Sequence, residues 1–265
     1  MPDRVRRRSP SAGARVAGVL GELLITVGAV LMLYVVWELW WTNVQAAEEQ
    51  GQATSRLLED FGPAVPLPEP GEVLLSPEEQ AAADRAEFGA PPAAAGGDGT
   101  FGLLYIPRFD ADYVRPVSHG VGLDVLNTVG IGHYPQTQLP GEAGNFALAG
   151  HRQTHGQVFY EIDRLTDGDR LYVQTREGFY QYEYSDTEIV SPGATDVLLP
   201  VPHRPEAEPQ QSILTLTSCH PIFSTAQRII AYAELESFRP AEAGPQDQIR
   251  DAYRTTTARA SGPTG

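Results

Sequence analysis

The 265-residue chain contains no lysine and a single cysteine, Cys219. The absence of lysine excludes a lysine nucleophile, a Schiff base and the phosphate-binding lysine of a P-loop. One cysteine excludes an intrachain disulfide and a cysteine-rich zinc site. Positive charge is also scarce, since 19 arginines face 34 acidic residues and the formal net charge is −15, which argues against a nucleic acid as partner. Hydrophobic residues make up 42% of the chain, enough for a packed core.

Charge is distributed in blocks along the N-terminal part of the chain. Residues 1–15 contain five arginines and one aspartate, a net charge of +4, whereas residues 42–100 contain eleven acidic residues and two arginines, a net charge of −9. The 26 residues between these blocks, 16–41, carry only two charges, Glu22 and Glu38. A helix of that length, at about 1.5 Å per residue, exceeds the roughly 30 Å hydrocarbon core of a bilayer. We therefore predict a transmembrane helix over residues 16–41.

The length of this apolar run and the residues on either side of it predict that the helix stays in the membrane as an anchor. They also predict its orientation. Its C-terminal end carries three tryptophans typical of a membrane interface, namely Trp37, Trp40 and Trp41. The apolar run is longer than the about 7–15 residues of a signal-peptide core, so a retained anchor is favoured over a cleaved signal. Because arginine-rich segments next to a membrane helix remain on the cytoplasmic side, we expect residues 1–15 to be a cytoplasmic basic tail and everything after Thr42 to be extracellular.

Two segments lack the large apolar residues of a packed domain. Residues 42–100 are acidic and rich in proline, alanine and glycine, which predicts a linker. Within it, a capping box at residues 76–79 predicts a short helix that ends at about Phe88. Residues 240–265 have a similar composition and are predicted to be a disordered tail. The folded domain is therefore expected at residues 101–239.

Residues 101–239 are predicted to be an all-β domain. Short segments rich in β-branched and aromatic residues are separated by turn signals, and no helix-period stretch of twelve residues stands out. The predicted strands are 102–107, 145–150, 170–175, 180–190, 213–219 and 228–238. Many short strands within one domain indicate a closed barrel or a sandwich.

Three chemically capable side chains occur at the ends of predicted strands. Cys219 ends one strand, Arg228 opens the next one nine residues later, and His151 follows a third. If the first two strands pair antiparallel, Cys219 and Arg228 face each other with Cβ atoms about 5 Å apart. A thiolate, an imidazole and a guanidinium can together perform acyl transfer, by nucleophilic attack, proton exchange and oxyanion stabilisation. A lone cysteine can also be no more than a small buried hydrophobe.

The residues around these three positions resemble the sortase family. Cys219 lies in Thr-Leu-Thr-Ser-Cys-His-Pro (215–221), which is similar to the family pattern Thr-Leu-x-Thr-Cys. His151 ends a region that resembles the family's catalytic-histidine segment, and Gln227-Arg228 resembles its catalytic-arginine site. The histidine region comprises Gly-His-Tyr-Pro (132–135), Leu-Pro-Gly (139–141) and Asn-Phe-Ala-Leu-Ala-Gly-His-Arg (145–152). The combination, with Cys-His-Pro and a long anchor and linker, is most similar to class E sortases of actinobacteria.

The resemblance implies a sortase-type eight-stranded β-barrel, preceded here by one N-terminal transmembrane helix. It implies that His151, Cys219 and Arg228 are catalytic, and that no metal or organic cofactor is required. Ser218 stands where the family usually has threonine; it keeps the hydroxyl but loses the methyl group, and is assigned a supporting role. No substrate-binding residue is assigned.

The resemblance also implies an activity and its partners. Sortases cleave the C-terminal sorting signal of a secreted protein between Thr and Gly, and transfer the acyl chain to an amine of a peptidoglycan precursor. Class E members generally favour LAxTG over LPxTG signals. The expected partners are therefore secreted proteins that carry such signals and a cell-wall precursor amine.

Two other functions remain open on the residues alone. One is another Cys/His cell-wall enzyme, an L,D-transpeptidase, although its Ser-x-Gly-Cys type of segment is not matched here. The other is a non-catalytic, membrane-anchored β-barrel binding module with an inert thiol. His220 adjoins Cys219, but neighbouring residues on a strand point to opposite faces, so His220 is expected to have a structural role in the loop.

Overall fold

The computed structural model of the chain describes residues 12–67 and 75–262. The chain divides into two units, Met1–Thr42 and Asn43–Gly265. The first unit contains the N-terminal part of helix α1 (Ala12–Phe61), whose apolar side chains are exposed along the predicted span. This helix is long and apolar enough to cross a membrane. The arginines of the predicted basic tail that precede residue 12 lie outside the described residues.

The second unit is built on a closed barrel of eight strands. The strands are β1 (Thr100–Tyr105), β2 (Val114–His119), β3 (Ile131–His133), β4 (Gly144–Gly150), β5 (Arg170–Gln174), β6 (Gly178–Val190), β7 (Ser212–His220) and β8 (Gln227–Pro240). Around the barrel their order is β1-β2-β3-β4-β7-β8-β6-β5. The β2–β3 and β4–β7 pairs are parallel, and the other pairs are antiparallel. The predicted all-β fold with an eight-stranded barrel is confirmed.

The direction of three strands brings distant parts of the sequence to one end of the barrel. Because β4 and β7 are parallel neighbours, their carboxyl ends lie at the same end. Strand β8 runs antiparallel to β7, so its first residues also lie there. The residues that follow β4, end β7 and open β8 therefore meet.

Strand β1 is buried on both of its faces. Leu104 belongs to the interior core with Leu216, whereas Leu103 and Tyr105 belong to a second apolar cluster. Since alternate residues of a strand point to opposite faces, this second cluster lies on the outer face of the barrel. Helix α1 and a C-terminal helix, α4 (Arg250–Ala260), contribute the residues that cover it.

Strands β2 and β3 are absent from the sequence prediction. β2 contains Arg115 and Pro116, and β3 has only three residues, with Gly132 at its centre. Neither has the composition of a typical strand, because glycine and proline are depleted there. Both are held by their neighbours, since β2 pairs with β1 and β3, and β3 pairs with β4.

The start of the predicted linker, 42–100, is a packed helix. In the second unit α1 continues as far as Phe61, and one of its faces is buried. The buried residues are Ala46, Gln50, Thr54, Leu57 and Leu58. Four of them are spaced four positions apart, and Leu57 adjoins the last of these, which places all five on one side of the helix. The expectation of an unpacked linker is therefore corrected here, since the average composition of the segment conceals this face.

A second helix, α2 (Pro77–Phe88), lies in the same segment and packs against β8. It begins with the predicted capping box: the Ser76 hydroxyl accepts the Glu79 N–H at 3.2 Å, and the Glu79 carboxylate accepts the Ser76 N–H at 3.0 Å. Its limits match the predicted helix. The predicted linker residues 68–74 lie outside the described residues.

The predicted disordered tail, 240–265, is also ordered over most of its length. β8 continues to Pro240, and α4 follows after two short 3-10 turns. Ile249, Ala252 and Tyr253 are buried in the outer cluster. Few apolar residues are enough to order this segment, because they lie on one face of a short helix that packs against the apolar outer surface of the barrel. Residues 263–265 lie outside the described residues.

Candidate active site

Cys219 and Arg228 are directly paired across β7 and β8. The predicted antiparallel register, in which Arg228 follows Cys219 by nine positions, is confirmed. Cys219 is a free, half-buried cysteine, so its thiol is neither sealed in the core nor fully solvated. The pairing leaves the thiol and the start of the guanidinium side chain at one rim of the barrel.

His151 reaches the same rim through the parallel pairing of β4 with β7. Ala149 pairs with Thr217, so His151 and Cys219 each follow a paired residue by two positions. Just behind them, the buried Ser218 hydroxyl donates a 2.8 Å hydrogen bond to the Gly150 carbonyl. Ser218 thus fastens the two strands together immediately before the histidine and the cysteine, which gives a structural reason why its hydroxyl matters.

The surroundings of His151 favour a neutral imidazole. Burial lowers its pKa from the usual value, and the nearby His155 ring, 5.1 Å away between centroids, lowers the pKa further. The Nε2 atom of His151 lies 2.8 Å from Oδ1 of Asn127. Since Oδ1 can only accept, Nε2 carries the proton and Nδ1 keeps its lone pair. Asn127 was not found by sequence reasoning, because it follows a four-residue helix, α3 (Leu123–Leu126), with no motif of its own.

Arg152 connects the loop after His151 to the residue after Cys219. Its side chain is 1% exposed, and its guanidinium contacts three partners. Nη2 lies 2.9 Å from the Asp163 carboxylate, Nε donates to the Tyr160 carbonyl at 3.1 Å, and Nη1 lies 3.2 Å from Nδ1 of His220. His220 therefore takes part in a structural network, and its Nδ1 is occupied by Arg152.

The guanidinium of Arg228 lies on its own loop. Its Nη1 donates to the Thr225 carbonyl at 3.1 Å and to the Gln227 carbonyl at 2.9 Å. Backbone pairing thus brings Arg228 to Cys219, while its free end is held by exposed carbonyl groups. Exposed hydrogen bonds of this kind contribute little stability, so the side chain can exchange them for another acceptor.

His133, which lies in the segment that resembles the family's histidine region, has a structural environment. His133 is buried, its Nε2 lies 3.0 Å from the Gln138 carbonyl, and burial lowers its pKa to about 4. Among the described residues no group of three or more His, Cys, Asp or Glu side chains is placed to hold a metal ion.

Comparison with known proteins identifies the family. The model of the Sortase domain matches residues 104–236. Sortase SrtE1 of Streptomyces coelicolor is 32% identical over 254 residues, which cover 92% of this chain and 64% of that protein. Sortase SrtE2 of the same organism is 30% identical over 238 residues, which cover 88% of this chain and 87% of that protein.

A solved structure agrees with these relatives. The crystal structure of sortase E1 from Streptomyces coelicolor with a tripeptide in the active site has a TM-score of 0.52 and 34% identity, and the match covers 59% of this chain and 99% of that chain. The protein is thus a closed β-barrel with a cysteine and a histidine at one end. The chain belongs to the sortase family, whose members are cysteine transpeptidases. Together with the apolar N-terminal helix, this membership indicates a membrane-anchored protein.

Proposed function

We propose that the chain is a cysteine transpeptidase that cleaves a sorting signal of the LAxTG or LPxTG type between Thr and Gly. It transfers the acyl chain to an amine of a cell-wall precursor. The observation that carries this proposal is the convergence of His151, Cys219 and Arg228 from three neighbouring strand ends. The tripeptide in the active site of Streptomyces coelicolor sortase E1 supports a peptide as substrate.

The proposed topology follows from the distribution of charge. The arginines of residues 1–15 stay in the cytoplasm, residues 16–41 cross the membrane once, and the catalytic domain is extracellular. A secreted protein still held at the membrane and a lipid-linked precursor are then both accessible to the enzyme.

Acylation begins with proton transfer from Cys219 to His151. The neutral imidazole accepts the thiol proton at Nδ1, and the thiolate attacks the Thr carbonyl carbon of the signal. As the C–S bond forms, the carbonyl electron pair moves onto oxygen, and Arg228 turns from its loop carbonyls to donate to this oxyanion. Collapse breaks the C–N bond, and His151 returns the proton to the departing Gly amine.

Transfer repeats these steps in reverse with a new amine. The acceptor nitrogen attacks the thioester carbon, and His151 takes the proton that the nitrogen loses. The C–S bond then breaks, and Cys219 leaves as a thiolate that regains the proton from His151. The products are an amide and the free enzyme, so the cycle needs no oxidant, metal or cofactor.

The decisive experiment compares the wild type with Cys219→Ala on a panel of LAxTG, LPxTG and scrambled peptides. We expect wild type to cleave the signal peptides between Thr and Gly and to show the mass of a peptide acyl adduct, whereas Cys219→Ala shows neither. His151→Ala should be nearly as inactive, and alkaline pH should rescue it incompletely, because a thiolate alone does not protonate the leaving amine. A cleaving Cys219→Ala variant would exclude the mechanism and leave a non-catalytic binding module as the alternative.

Arg228→Lys tests the role of the guanidinium. Lysine keeps the charge but cannot hold a carbonyl oxygen and a second acceptor in one fixed plane. Losing one oxyanion donor costs on the order of 10²–10³ in rate, and we expect a fall in kcat of that order. Ser218→Thr, which retains the hydroxyl, serves as the matched control and should keep its turnover. A Lys variant with wild-type kcat would make Arg228 merely structural.

A further inference from the structure

The part of α1 that lies in the second unit contacts the loop that follows His151. The Asn43 side-chain oxygen accepts the Gly156 N–H at 2.9 Å, and the Gln50 amide nitrogen donates to the His155 carbonyl at 3.4 Å. Asn43 and Gln50 are seven positions apart, two helical turns, so both face the barrel. The loop that they contact carries the His155 ring beside His151.

This loop has a backbone that needs support from outside. Three consecutive residues have positive φ angles: His155 at 49°, Gly156 at 85° and Gln157 at 50°. For His155 and Gln157 this region is sparsely populated, and such residues persist only where their surroundings fix them. Asn43 and Gln50 bind two successive backbone groups of this strained stretch.

Gln50 also touches the loop on the other side of His151. It is 5% exposed and lies between two glycines, Gly130 and Gly156. A Cβ added at Gly130 would come within 2.7 Å of the Gln50 amide nitrogen, and one added at Gly156 would come within 2.5 Å. Gly130 is three residues beyond Asn127, the hydrogen-bond partner of His151. The Gln50 side chain therefore packs between the loop that contains Gly130 and the loop that contains Gly156, and these two loops flank the His151 imidazole.

We propose that Asn43 and Gln50 are positioning residues for the reaction, and that the membrane-proximal helix holds the His151 imidazole in place through its two flanking loops. The inference rests on the proposed function, in which His151 moves the proton. The hydrogen bonds of Asn43 and Gln50 described above go to the backbone of the loop that follows His151, so we expect these residues to affect how often the imidazole is correctly placed and not how well peptide binds. A misplacement of about 1 Å can cost roughly 10² in rate. Loosening one of several loop contacts should cost less, about ten-fold.

The test uses the full chain in detergent and steady-state cleavage of the peptide that wild type cleaves best. Gln50→Ala and Asn43→Leu should lower kcat about ten-fold with KM within about two-fold of wild type. The matched control is Gln52→Ala, the same substitution at an exposed position of the same helix, which should leave kcat unchanged. Asn43→Asp keeps an oxygen that accepts the Gly156 N–H and should restore most of the kcat that Asn43→Leu loses.

The outcomes separate this inference from the proposed function. If wild type cleaves peptide and His151→Ala does not, but Gln50→Ala and Asn43→Leu both retain wild-type kcat, the inference is overturned and the function stands. If wild type cleaves nothing, the proposed function fails. A loss of kcat in Asn43→Leu that Asn43→Asp does not restore would also overturn the positioning role. Should Gln50→Ala fail to fold, the Asn43 pair carries the test, because Asn43 is only half-buried.

Discussion

Arg152 is a charged side chain that the fold buries with a partner for each of its nitrogen atoms. Nε, Nη1 and Nη2 contact a carbonyl, an imidazole and a carboxylate respectively. Buried ions are tolerated when paired and hydrogen-bonded in this way. Because its partners come from the loop after His151 and from the residue after Cys219, Arg152 also fixes the separation of the two segments.

Replacing Arg152 with methionine should destabilise the domain. The substitution keeps much of the volume but leaves the part-buried Tyr160 carbonyl and His220 without their donor. A fully buried unsatisfied group costs about 1–3 kcal/mol, and one that water can reach costs less. The control is Arg164→Met, whose ion pair with Glu161 is largely exposed and should be worth less than about 1 kcal/mol. Urea unfolding of both variants measures the difference. Equal losses would show that the buried contacts of Arg152 contribute nothing beyond a surface pair.

The principal candidate residues could be predicted because their positions follow from the strand register. A cysteine ending one strand and an arginine opening the next must face each other if the strands pair antiparallel, and β7 and β8 do pair in this way. Asn127 and Gln50 could not be found, because their contacts to the His151 region span 24 and 105 positions. Such contacts depend on how loops and helices pack on the barrel, and no local pattern reports that packing.

Average composition gave the wrong prediction for helices that bury only a narrow face. The outer part of α1 and the whole of α4 contain mostly polar and small residues, yet each buries one side. A linker prediction averages over the segment, whereas burial depends on the residues at three- and four-residue spacing. Helix α2 was predicted correctly because its capping box is a local hydrogen-bond pattern, which does not depend on packing.

The packing of α4 can be tested at Tyr253. Its ring meets Phe179 edge to face at 5.8 Å, and its hydroxyl accepts the Val65 N–H at 3.3 Å. Truncating a buried aromatic residue costs about 3 kcal/mol, so Tyr253→Ala should lower the Tm of the domain by roughly 6–12 °C. Arg259→Ala on the exposed side of the same helix should change the unfolding free energy by less than about 0.5 kcal/mol. A Tm unchanged in Tyr253→Ala would restore the prediction of a disordered tail.

At the scale of the whole molecule, the packed core extends beyond the residues of the family match. Residues 104–236 match the Sortase domain, but the outer apolar cluster of the barrel is completed by residues from α1 and α4. A barrel cut free of these helices would expose side chains such as Leu103 and Tyr105 to water.

A chain that begins at Thr100 should therefore be less stable than one that begins at Asn43. The shorter chain loses Leu57 and Leu58, and full burial of each leucine contributes about 1.5–3 kcal/mol. We expect a Tm lower by roughly 10 °C and stronger binding of a hydrophobic dye, both measured on the two purified chains. Equal Tm values would show that residues 43–99 act as a plain tether.

The closure of the barrel constrains how an extended peptide can be recognised. Many proteins bind extended chains by adding them as a further strand at an open sheet edge. Each of the eight strands described here has a hydrogen-bonded neighbour on both sides, so no strand presents an edge that is free along its whole length. A short edge is left where one strand outruns its neighbour, as in β6 beyond Glu183 and in β7 beyond Thr217. We therefore expect a peptide to be recognised at such a strand end and by the side chains and loops around it, where sequence can change without disturbing the ladder of backbone hydrogen bonds. Peptide preference can thus diverge between relatives while the scaffold stays the same, and the same closure protects the sheet from edge-to-edge aggregation.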